Sequence, residues 1–130
     1  MPTLQVRKED HHENLCEELM RERALVLTRA GIAVEEAVEQ LMQTEREIET
    51  KELLLESFIK LGNMPEILEK RRLLVEEVNY KIDNFNDLCR HAQLKYYYLI
   101  VTREAMGLRR HQMIQEIYCI PKPKKKVRVI

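Results

Sequence analysis

The chain has 130 residues, 45% of them apolar and 34% charged, with 22 acids balanced by 22 Lys and Arg. Aromatic residues reach only 5%, Trp is absent, and three Gly and four Pro are too few for a chain of many turns. This is the composition of long helices in one domain at most; it excludes a sheet-rich or disordered chain and gives no argument from net charge for nucleic acid or membrane.

Met1 to Lys8 carry Pro2 and no helical period, so residues 1–10 are expected to form an extended tail. Asp10 with Glu13 has the spacing of a capping box, and the first helical arm is predicted over about 13–61. A seven-residue register runs through it at Val34, Leu41, Ile48 and Leu55, with weaker inward positions at Ala37, Thr44, Lys51 and Phe58. Leu15, Leu19, Val26, Ala30 and Ala33 continue the stripe upstream in a drifted phase. Gly31 costs about 1 kcal/mol against Ala inside a helix. The apolar period survives on both sides of it, so the arm is expected to be continuous, with a break there and a three-helix bundle as the alternative.

Leu61-Gly62-Asn63-Met64-Pro65 is the strong interruption. Gly62 can take the left-handed conformation that closes a helix, and Pro65 suits the first turn of the next. A turn at 62–64 returns the second arm antiparallel to the first. That arm is predicted over about 65–120, with Leu68, Arg71, Val75, Val78, Ile82, Phe85, Cys89, Ala92, Tyr96, Leu99, Arg103, Met106, Arg110, Met113 and Ile117 facing inward and the stripe passing through Gly107. Folding about Asn63 places residue i opposite roughly 126 − i. Leu55 then meets Arg71, Ile48 meets Val78, Leu41 meets Phe85 and Val34 meets Ala92, so two patterns chosen separately agree. The same arithmetic sets Ala30, Gly31 and Ala33 opposite Tyr96, as if small residues made room for a large one. The predicted fold is an all-α antiparallel helical hairpin of coiled-coil type over 11–120, followed by a basic tail at 121–130.

A two-helix coiled coil needs one narrow apolar stripe per helix, and this chain has more. Leu25, Val26 and Leu27 lie across from Tyr97, Tyr98, Ile100 and Val101 near the open end, and Leu53 and Leu54 across from Leu73 and Leu74 near the turn. Contiguous apolar surface of this kind marks interaction sites, so partner helices, from another protein or a second copy, are expected to complete a bundle.

Chemistry-bearing residues are sparse. Cys16, Cys89 and Cys119 form no Cys-x-x-Cys, and with no signal-peptide pattern they read as reduced thiols in cytosol or nucleus. No apolar run approaches the roughly 20 residues of a membrane span. His11, His12, Cys16 and His111 are the best metal candidates, since His12 and Cys16 share a helix face and the fold arithmetic brings His111 near them, but no motif fixes a geometry. No metal, cofactor or catalytic set is therefore assigned. Tyr96, Tyr97 and Tyr98 point three ways from a helix and make no stacking platform for nucleic acid. Arg103 and Arg110, at inward positions, are expected to snorkel over Met106 and Met113 or to pair with acids.

Lys122, Lys124, Lys125, Lys126 and Arg128 form a run similar to a nuclear-import signal and suited also to an acidic protein surface. Alternation over Lys126 to Ile130 suggests a strand for a partner's sheet edge. Just before it, Leu108-Arg109-Arg110-His111-Gln112-Met113-Ile114-Gln115-Glu116-Ile117-Tyr118-Cys119-Ile120-Pro121 is similar to the coiled-coil end of regulatory subunits of the autophagy lipid-kinase complex. Those show a paired-Arg, Leu-rich turn before Tyr-Pro-Ile. Here the order is Tyr-Cys-Ile-Pro, and the likeness covers fourteen of 130 residues. The functional expectation is a non-enzymatic structural or adaptor subunit docking onto a larger assembly, cytoplasmic and possible to place in a cytoskeletal setting. The alternative is a nuclear interaction factor using the tail for import or nucleic-acid contact.

Overall fold

The computed structural model describes residues 4–128, with helix α1 at Leu4–Lys60, α2 at Pro65–Ala105 and a short α3 at Gln112–Ile117. α1 and α2 pack as an antiparallel hairpin. The turn forms as the residues dictate. Gly62 takes φ +100°, and the amides of Leu61 and Gly62 donate back to the carbonyls of Phe58 and Ile59. Met64 is extended ahead of Pro65, which opens α2 where its missing N–H is harmless. The Arg71 guanidinium donates to Asn63 Oδ1 at 3.2 Å and ties the turn to α2.

Val34, Ala37, Leu41, Ile48 and Leu55 from α1, and Val75, Val78, Ile82, Phe85, Cys89, Ala92 and Leu99 from α2, are all buried. Over 34–55 and 75–99 the predicted core register is therefore the observed one, whereas Leu68, predicted to face inward, is 44% exposed. Thr44 shares it at an inward position, its hydroxyl satisfied by the Gln40 carbonyl. Ion pairs Lys51–Glu77 and Lys81–Glu47, at 2.9 and 2.6 Å, lace one flank of the seam. Each joins residues within two positions of the 126 − i pairing.

Four expectations need correction. Helix begins at Leu4, so the predicted extended stretch is largely helical; residues 1–3 lie outside the described residues. α1 runs through Gly31 unbroken, but a Cβ built there meets nothing within 4 Å, so this glycine does not make room for Tyr96. Leu74, expected at a partner surface, is only 6% exposed, because it lies one helical turn from Val78 on the inward face. The largest change is in the second arm. α2 stops at Ala105 and does not reach 120. Gly107 takes φ +86°, and the amides of Gly107 and Leu108 donate to the carbonyls of Glu104 and Arg103. That is a Schellman cap. Beyond it Arg110, Met113 and Ile117 are exposed, so the coiled coil does not continue through residues 108–121. With Arg at 103 and 110, burying this segment returns too little to override a glycine cap.

The arms are consequently unequal. α1 has 57 residues and α2 has 41, about 85 Å against about 60 Å. The N-terminal part of α1, before about residue 21, projects past the end of α2, with Leu15 and Leu19 at 55% and 45% exposure; Val26, still alongside α2, is exposed as well.

Candidate functional site

Residues 118–128 do not hang free. They run back along the hairpin in the groove on the flank opposite the ion pairs, antiparallel to α2. Two asparagines hold them. The Asn86 side chain donates Nδ2–H to the Lys124 carbonyl at 3.0 Å and accepts the Lys124 amide on Oδ1 at 2.8 Å. Asn79 does the same for Val127, at 3.0 and 2.7 Å. Each asparagine thus satisfies both main-chain groups of one tail residue, the role a neighbouring strand plays in a sheet. Each such bond contributes about 0.5–1.5 kcal/mol net.

Side chains supply the rest. Tyr118 donates its hydroxyl to Glu35 at 3.0 Å, which starts the tail on α1. Burial pushes the Tyr118 phenol up, and the bond to Glu35 adds to it, so the donor stays protonated through neutral pH. The Lys124 ammonium sits 5.4 Å from the centre of the Phe85 ring and 3.4 Å from Glu45. Lys126 pairs with Asp83 at 3.3 Å. Ile120 and Val127 pack on the central core cluster, and Val127 also reaches Leu55, Leu74 and Val75 near the turn. At that end the groove opens into a cleft of about 630 Å³ lined by Leu55, Ile59, Leu68, Val75 and Val127.

Tyr118, Pro121, Lys124 and Val127 are half-buried while Lys122, Pro123, Lys125, Lys126 and Arg128 are exposed. From Pro121 to Val127 that period is three, as in a polyproline-type chain, with Ile120 half-buried ahead of it. Of the stretch expected as a strand, Lys126, Val127 and Arg128 alternate exposed, half-buried and exposed without forming one, and Val129 and Ile130 lie outside the described residues. The basic run is accordingly divided. Lys124 and Lys126 are engaged within the molecule, and Lys122, Lys125 and Arg128 face water.

Sequence reasoning missed Asn79, Asn86, Asp83, Glu45 and Glu35. One signal was present: two asparagines seven apart in a helix interior, where Asn is a weak helix former, call for an outside reason.

The expected partner residues separate by exposure. Leu25, Val26, Leu53, Leu54, Leu73, Tyr97, Tyr98 and Val101 are exposed, whereas Leu27 and Ile100 are half-buried. Among the metal candidates, Cys16 Sγ lies 3.9 Å from His12 Nε2. His111 instead contacts Arg103 and Glu104, at 3.3 and 3.1 Å. Among the described residues no three His, Cys, Asp or Glu side chains are grouped to hold a metal ion. Nor, among them, is any helix long and apolar enough to cross a membrane.

The fold and groove define a helical hairpin with an intramolecularly docked tail. Comparison with protein-family models, curated proteins and solved structures finds no match for the chain.

Proposed function

We propose that the protein is a non-enzymatic structural or adaptor subunit that docks by helix–helix contact onto a larger protein assembly, in a cytoplasmic and cytoskeletal setting. The observation that carries this reading is the projecting part of α1, where Leu15 and Leu19, one helical turn apart and exposed, have no α2 residue left to face them. Leu53, Leu54 and Leu73 near the turn, and Tyr97, Tyr98 and Val101 beside the projection, add exposed apolar surface.

The test is site-specific photo-crosslinking from position 19 of the full chain in its native cell, with the crosslinked peptide identified by mass spectrometry. A helical segment of a partner protein or of a second copy is expected, and Leu15→Glu should abolish the product. Crosslinks confined to the same molecule would sink the proposal.

A nuclear reading rests on Lys122, Lys125 and Arg128, which are exposed. It requires salt-sensitive nucleic-acid binding or nuclear accumulation that is lost when residues 122–128 are removed; unchanged localisation with no binding disposes of it.

A further inference from the structure

The tail groove has more capacity than its own tail uses. Seven residues of helix rise about 10.5 Å, and three residues of an extended or polyproline-type chain cover about 9–10 Å. Asparagines seven apart on α2 therefore meet every third residue of an extended segment, and because they bond only to main chain they do so whatever its side chains. The series continues on the helix: Gln93 is seven residues beyond Asn86, on the same face, and exposed. The tail residue three before Lys124 is Pro121, which has no N–H to give to it. Side-chain selectivity resides chiefly at the Lys124 ammonium between Glu45 and the Phe85 ring and at Val127 between the two apolar clusters, with the exposed Lys126–Asp83 pair adding to it.

We propose that this groove is a binding site for an extended basic segment of a partner protein. The segment carries a lysine, a Val-sized apolar residue three positions later, and a residue other than proline three positions earlier. Residues 118–128 act as its intramolecular competitor. A second copy's tail is a poorer occupant, since it brings identical contacts and must displace a segment held at about millimolar effective concentration. A partner that also engages Gln93 has a contact the internal tail lacks. The groove is separate from the projecting stripe of α1, so either proposal can fail while the other stands.

The test uses full-length chains and fluorescently labelled peptides followed by anisotropy. One peptide has the sequence of residues 118–128, one carries Pro121→Ala, and one is a scramble of the same composition. Two variants release the internal tail by different means: Val127→Asp removes an apolar contact, and Lys124→Glu with Lys126→Glu reverses charge against Glu45 and Asp83 while sparing the apolar contacts. Both should bind the Pro121→Ala peptide at least tenfold more tightly than the parent chain does, and severalfold more tightly than the unmodified peptide. Adding Asn79→Ala and Asn86→Ala to either should weaken binding tenfold or more. Equal binding of the scramble, indifference to the asparagines, or no binding by either release variant overturns the proposal. So does a doubled mass of the parent in light scattering that Val127→Asp abolishes, which assigns the groove to a second copy's tail.

Discussion

The two ends of α1 carry the same kind of writing and meet opposite fates. Val34, Leu41, Ile48 and Leu55 recur every seven residues and are buried; Leu15 and Leu19, one helical turn apart, are exposed. A drift in phase is all that the pattern itself puts between the two stretches. The difference lies in what stands opposite. α2 faces the first set, and its glycine cap withdraws it from the second. An apolar period therefore specifies which face of a helix seeks cover and leaves open which chain provides it.

Truncating one side chain in each set should have very different costs. Phe85→Ala, in the fully buried half, should cost about 3–5 kcal/mol of stability, whereas Leu19→Ala in the isolated chain should change it by less than about 0.5 kcal/mol; urea unfolding of both checks this. If Leu19→Ala proved equally damaging, the projecting stripe would already be covered in solution. Next in size, Asn79→Ala with Asn86→Ala removes four hydrogen bonds at about 0.5–1.5 kcal/mol each. Amide exchange at Lys124 and Val127 should accelerate to that of a free peptide, while amides of α1 before residue 30 stay unchanged.

Gly31→Ala sharpens the contrast from the other side. The site has open space around it and lies within helix, so the substitution should stabilise the chain by about 0.5–1 kcal/mol and raise its melting temperature. The cysteines give the smallest effect and the cleanest reading of which half is closed. Burial pushes the Cys89 thiol up, with the Glu45 carboxylate adding to it, whereas Cys16 and Cys119 are exposed. A thiol reagent at pH 8 should titrate two cysteines quickly and Cys89 slowly. Because its folded pKa lies above the unfolded one, the associated stability is complete below about pH 8.5 and is lost as pH rises through the folded value.

The hairpin itself was legible, since its turn is written in residues with a single backbone use and its register in two stripes that agree under 126 − i. The end of α2 was not. Met106, Met113 and Ile117 keep the apolar period going past Gly107, and only the weighing of Arg103 and Arg110 against a cap decides that the helix stops. The tail groove was less legible still. Its principal contacts are between asparagine side chains and main chain, and main chain carries no sequence signal. Leu74 shows the finer limit: pattern placed it among exposed leucines, and one turn of helix geometry puts it inside.

The short turn at Gly62 also bears on the order in which the molecule assembles. Closing a small loop costs least, so Leu55 and Val75 are expected to meet first and the seam to zip outward toward Val34 and Ala92. The groove needs both helices in place, because Glu45 comes from one and Asn79 and Asn86 from the other. Its internal occupant follows both helices in the chain and leaves the ribosome after them. Between those two events the groove is complete and empty, and a competing segment met in that interval has no tail to displace.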